Sequence, residues 1–452
     1  FFLFFSIITN SNKLIHLYII LLLSWDTLCK TISIHIHNPN ETQQFGKHLS
    51  PYTIGKIVEF TSRGCLMANC GSDSFTALST SVSNALGAAM SISASKTNEP
   101  LILRVLETVR GMMRCALKRG RWTKEARDMA VQTGWSVSTP LLTHCTVIAE
   151  QYAQSNMMLV VASCARIWSH FLKIYSAKFS NDNFGGVFSE LQRLLATFHG
   201  MSSASTNTSG TESIHALVIC SFAGLLVQLL MTQKTMIVAA MSRGTGGTTV
   251  SSLQTQAKLN WKPNQNHAEN QMGDRVINVV FISVTHLFTQ ITPSLLQFPK
   301  VSERFVALSC FLVEMFPERL LSGSTESVNA FCSCLEFAAD STAEDVSSGA
   351  LDGITSLMNR VVDLNSNHLN TVMTRFVHFY LKLLSKEYSE EIADLFFDSI
   401  KKSTDVCRAA VGNWVGNDER RRGRAGDLFS SGGRGKEQFR FAASKIRLLK
   451  VV

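Results

Sequence analysis

Three histidines, His35, His37 and His48, lie near Cys29. Imidazole and thiolate are zinc ligands, and the His-Ile-His alternation would put two rings on one face of a strand. A closed zinc site needs further ligands, and no second cluster follows, so a polar loop is expected here. Cys65 and Cys70 have no partner pair. Cys332 and Cys334, two apart on a helix, point to different faces. His144 and Cys145 are neighbours in sequence, whereas a catalytic pair is defined by meeting in space. The run Arg243-Gly244-Thr245-Gly246-Gly247-Thr248-Thr249 lacks the Gly-Lys-Ser/Thr ending and the preceding strand of a phosphate-binding loop. Gly433-Arg434-Gly435-Lys436 has the lysine but no following hydroxyl. There is no Gly-x-Ser-x-Gly elbow and no His-Glu-x-x-His. Glu336, Glu390 and Glu391 read as solvated helix positions rather than a paired acid and base. No catalytic, metal-binding or cofactor-binding residue is therefore expected, and the chain is not expected to be an enzyme.

The elements that would position these residues read as helices. Of 452 residues, 45% are hydrophobic, ample for a large core, and only 8 are proline. That proline content is well below the roughly 5% average and favours long helices over a turn-rich β protein. Apolar residues recur at spacings of three and four, with few stretches of strict alternation. The 11 cysteines form no disulfide framework. Most sit in apolar runs (Cys115, Cys145, Cys164, Cys220, Cys310, Cys332), the pattern of buried reduced thiols in a cytosolic or nuclear protein. Much of the net charge of +9 is concentrated after Arg420, which leaves the body nearly balanced. No basic stripe interleaved with aromatics suggests direct nucleic-acid binding.

In chain order, residues 1–50 form a hydrophobic and polar segment. Thr9, Asn10, Ser11, Asn12, Lys13 and His16 break its apolar run, whereas a membrane span needs roughly 20 residues without such a break. Three readings stay open for residues 1–23: non-coding sequence taken as a start, a solenoid helix, or a targeting segment. Asn40 and Asn207 fit the glycosylation pattern, which is short enough to occur by chance. Helical repeats are expected over 51–241. Within them, residues 99–119 form an amphipathic helix. Ile102, Val105, Leu106, Val109, Met113 and Ala116 face inward, and Arg104, Glu107, Arg114 and Lys118 face outward. Helices are also expected over 123–133 and 139–154. The apolar run within 213–241 is read as a buried helix rather than a membrane span. Residues 242–273 read as a polar, disordered linker. A second set of helical repeats covers 274–414, and a basic Gly/Arg-rich tail covers 415–452. In that tail Arg420, Arg421, Arg422 and Arg424 are candidate contacts for an acidic partner, beside a plain solvated end. Helix pairs recur at roughly 40 residues, the range of HEAT or armadillo-like units. The expected fold is an all-α solenoid of antiparallel helix pairs.

The stretch from Arg275 to Leu320 carries the most information. Val276, Val279, Val280, Ser283, Leu287 and Ile291 make one stripe, and Phe305, Leu308, Leu312 and Met315 another. Pro293 and Pro299 mark the corner between the two helices, and Pro317 stops the second. Its segment TPSLLQFPKVSERFVALSCFLVEMFPERL resembles the late repeats of the exportins, in the branch of the importin-β superfamily that contains exportin-4. The resembling residues are Leu295, Leu296, Phe298, Pro299, Phe311, Glu314, Phe316, Pro317 and Glu318. The match is clearest over residues 274–400 and weaker over 100–235. These residues are expected to be architectural. The resemblance implies a nuclear export receptor that shuttles between nucleus and cytoplasm. Its partners would be the Ran GTPase in its GTP form, folded protein cargo and nucleoporins. In that family the first Ran-contacting repeats lie at the amino end of a longer chain, so this sequence is expected to be the carboxyl part. The alternative expectation is a helical scaffold that binds proteins without Ran.

Overall fold

The computed structural model describes residues 50–67, 71–114, 124–179, 181–201, 211–244, 269–341, 343–364, 366–386 and 390–402, with Glu437, Arg440 and Ala443. The segment 1–49, Asn207, most of the expected linker, and Arg420, Arg421, Arg422 and Arg424 lie outside the described residues. Among the described residues there are fifteen α-helices, one 3-10 turn and no strand. The chain divides into two compact units, with the division falling between Ser283 and Val284.

The first unit holds α1 (Pro51–Met67), α2 (Gly71–Met90), α3 (Glu99–Arg114), α4 (Lys124–Gln154), α5 (Met158–Tyr175), α6 (Asn181–Gly200) and α7 (Thr211–Gly244). It also takes the first part of α8 (Glu269–Gln290). Helices α7 and α8 thus extend into both ends of the stretch expected as a linker. Here α1, α3, α5 and α7 pack successively side by side, and so do α2, α4 and α6. Helix α5 is the centre of this unit. Val160, Val161, Cys164, Ile167, Trp168, Phe171, Leu172 and Tyr175 are buried around its circumference. An all-round apolar helix is stable only when enclosed, and α3, α4 and α7 enclose it. Trp168 is fully buried and donates through Nε1 to Thr146 Oγ1 at 3.3 Å. Trp135 of α4 stacks on Phe171 of α5 with ring centroids 5.5 Å apart. Over Glu212–Met236, α7 is long and apolar enough to cross a membrane, and 56% of an 18-residue apolar stretch within it is buried inside the protein. Residues such as Phe222, Leu225, Leu226 and Leu229 are fully buried there.

One local feature differs from the sequence expectation. One helix runs through 124–154, where two were expected, and Pro140 lies inside it. Proline removes one backbone donor and strains the preceding turn. Here its ring is exposed, and α2 and α6 pack along α4. Between α4 and α5, Asn156 has φ 55°, a left-handed conformation that asparagine tolerates better than most residues. Its N–H donates to the Ala153 carbonyl at 2.9 Å, and Met157 N–H donates to the Tyr152 carbonyl at 3.0 Å, which closes the turn.

The second unit begins within α8 and continues through α9 (Pro293–Leu296), α10 (Pro299–Met315), α11 (Pro317–Leu321), α12 (Thr325–Ala339), α13 (Glu344–Asp363), α14 (Leu369–Lys386) and α15 (Glu390–Lys402). Helix α13 packs between α10 and α15, while α12 contacts α14 and covers α13. Small residues set the closest approach. Gly349 and Gly353, four apart on α13, face Val306 and Cys310, four apart on α10. Cys310 Sγ donates to the Gly349 carbonyl at 3.2 Å. The acidic Glu344 and Asp345 begin α13 and Arg360 lies in its last turn, each complementing the helix dipole.

Candidate functional site

Among the described residues, the cysteines are poorly placed to act as nucleophiles. Cys145 is fully buried, and burial pushes its thiol up to about 12. A thiolate nucleophile needs the opposite shift. Burial likewise pushes Cys332 up to about 12 and Cys334 to about 11. Cys164 is also buried, Cys220 and Cys310 are half-buried, and Cys115 lies outside the described residues. Glu336, expected to be solvated, is half-buried and held by Arg375. The guanidinium forks onto its two oxygens at 2.7 and 2.8 Å. That pairing raises the Arg375 pKa. Glu390 is exposed and lies 3.3 Å from Arg440. Arg440, in the segment expected as a tail, donates to both oxygens of Asp394 at 2.7 and 2.6 Å. At least this basic residue is packed onto α15.

The corner around Pro293 and Pro299 is the best-defined feature of the second unit. Thr292 caps α9, its Oγ1 accepting from Leu295 N–H at 3.3 Å. Pro293, Pro299 and Pro317 each start a helix, where a missing N–H costs nothing. Leu295 and Leu296 are buried, Phe298 is half-buried and Pro299 is exposed. Ser302 Oγ donates to the Leu296 carbonyl, tying the short helix to the long one. At the other end, buried Phe316 closes α10 through its N–H to the Leu312 carbonyl at 2.9 Å. Pro317 is half-buried, and Glu314 and Glu318 are exposed.

A groove of about 530 Å³ opens beside this corner. Leu296, Pro299, Phe337 and Phe379 provide apolar lining, and Glu336, Asp340 and Lys382 provide charge. Phe337 is 37% exposed, which is high for a phenylalanine in a helical core. The groove therefore combines an exposed aromatic ring and an apolar floor with a charged rim.

A second cluster was missed by the sequence reading. Glu107 was expected to face water, yet it is buried and its Oε1 lies 2.5 Å from Arg110 Nη1. The reason is tertiary: α5 packs on α3 and brings Arg166 to 3.6 Å from the same oxygen. Gly111, between Arg110 and Arg114, was the available sign that another helix approaches closely there. Compared with protein-family models, curated proteins and solved structures, the chain matches none.

Proposed function

We propose that this chain is a protein-binding α-solenoid of HEAT/armadillo-like antiparallel helix pairs, acting as an exportin-like nuclear export receptor. The observation that supports the solenoid reading is the successive packing of α1, α3, α5 and α7, and of α2, α4 and α6, in the first unit; in the second, α13 packs between α10 and α15. Such an array has long helical surfaces, and these engage a partner across many repeats. The export reading adds the corner resemblance at Leu295, Leu296, Phe298, Pro299, Glu314, Phe316, Pro317 and Glu318. In this reading the partners are folded protein cargo, Ran in its GTP form and nucleoporins. Cargo and Ran each stabilise the same solenoid curvature, so each raises the other's affinity, and GTP hydrolysis belongs to Ran. Direct nucleic-acid binding and a membrane span form no part of it.

The test is capture of proteins from nuclear extract by the immobilised chain, with Ran locked in either nucleotide state. Export predicts at least about fivefold more captured partner with Ran·GTP than with Ran·GDP. Capture indifferent to the nucleotide supports the alternative, a helical scaffold without Ran dependence, which the helix packing alone would equally serve.

A further inference from the structure

Helices α1, α3 and α5 gather a group of cations around two buried carboxylates. Gly55 and Gly111 bring α1 and α3 into backbone contact, and a Cβ at either position would meet the facing backbone. Glu59 Oε2 then lies 3.1 Å from Lys56 Nζ and 3.5 Å from Arg114 Nε. Glu107 Oε1 serves Arg110 and Arg166. Among the described residues, four cations thus share two carboxylates. The Glu59 side chain is 1% exposed and that of Glu107 9%, whereas Lys56 and Arg114 are 23% exposed and Arg166 28%. Arg110, 10% exposed, is buried with Glu107, so the charge that reaches the surface is that of Lys56, Arg114 and Arg166.

Three further features accompany the cluster. Arg110 Nε and Arg166 Nε are buried and have no hydrogen-bond partner among the described residues. Burial lowers the Arg110 pKa, and Arg166 and Arg114 lower it further, although Glu107 opposes them. His170 is pushed down to about 4 by burial, with Arg110, Arg114 and Lys173 adding to the effect. Like charges held together in a partly desolvated place stabilise whatever anion joins them.

We infer that the α1–α3–α5 face binds an acidic peptide segment of a partner protein, whose carboxylates dock on the partly exposed Arg114 and Arg166. Charge complementarity selects this occupant. The 452 residues are basic, with 43 Lys and Arg against 34 Asp and Glu, which favours an acidic partner over a second copy of the chain. The cations are interleaved with carboxylates over three helices rather than set in a continuous stripe, which disfavours a nucleic-acid backbone. Guanidinium forks match carboxylates two at a time. The site lies in the first unit and does not depend on Ran, so its failure would leave the export reading standing.

The test uses the full chain and a fluorescein-labelled glutamate-rich peptide, followed by anisotropy across a salt series. The double variant Arg114→Gln/Arg166→Gln leaves Glu59 paired with Lys56 and Glu107 paired with Arg110. It is expected to weaken binding about tenfold or more with circular dichroism unchanged. Arg193→Gln, on α6 and paired with Glu150 and Glu190, should leave binding unchanged. If the double variant fails to fold, Arg166→Gln alone should weaken binding about threefold. Absence of saturable binding overturns the proposal, as does equal loss in Arg193→Gln or no loss in the folded cluster variants. Inorganic phosphate binding as tightly as the peptide would mark a free-anion site instead. A single-stranded RNA binding more tightly, and losing affinity with the same variants, would mark a nucleic-acid site. Either result also overturns the proposal.

Discussion

His170 on α5 hydrogen-bonds through Nδ1 to the Arg166 carbonyl at 2.6 Å, yet burial and the neighbouring Arg110, Arg114 and Lys173 push its imidazole down to about 4. An unfolded histidine titrates near ~6.5, so between the two values the unfolded chain binds more protons. The stability held by neutral His170 is complete above the unfolded value and is lost as pH falls towards 4, by at most roughly 3 kcal/mol. The urea midpoint of the wild type should therefore fall more between pH 7 and pH 5 than that of His170→Gln. Parallel slopes would show that His170 titrates as it does in water. At the corner, Ser302→Ala should lower stability by about 1–3 kcal/mol, because it strips a donor from the Leu296 carbonyl. Thermal melting reads this, and an unchanged melting temperature would remove Ser302 from the corner's support. The helix starts at Pro293 and Pro299 and the stop at Pro317 were legible in the sequence, because proline punctuation is a local signal. The pairing of Glu107 was not, since Arg166 is distant in sequence and arrives only with α5.

At the scale of elements, periodicity located most helices and their buried faces. Phe305, Leu308, Leu312 and Met315 are buried as their spacing implies, and so are Val276, Val280, Ser283 and Leu287. Val279 and Ile291 are half-exposed, while Ile277 and Val284 are buried, so the stripe on α8 is rotated from the one read in sequence. Continuity through Pro140 was not legible, because local propensity argues for a break and tertiary contacts override it. The glycine contact between α1 and α3 carries a direct test. In Gly111→Ala the new methyl would overlap the Gly55 carbonyl oxygen, with backbone rather than a flexible side chain in the way. The variant should lose about 1–3 kcal/mol or more in denaturant titration. Tolerance without loss would show that the two helices can separate freely.

For the whole molecule, helical character was open to a sequence reading, whereas the choice of neighbours was not. Alternate helices meet through residues far apart in the chain, and no textual repeat announces the pairing. Surface function belongs to this scale too. Replacing exposed Phe337 with aspartate puts a charge into the groove beside Glu336 and Asp340. Phe337→Asp should cut partner capture about tenfold while leaving the melting temperature nearly unchanged. Full retention of capture would move the contact elsewhere. The export reading makes a stricter demand, because coupling between two ligands is reciprocal. We would titrate Ran·GTP into the full chain with and without its captured partner. A receptor of the export kind predicts that the partner tightens Ran·GTP binding at least about fivefold, and leaves Ran·GDP unaffected. Equal Ran affinity in the presence and absence of the partner would contradict it.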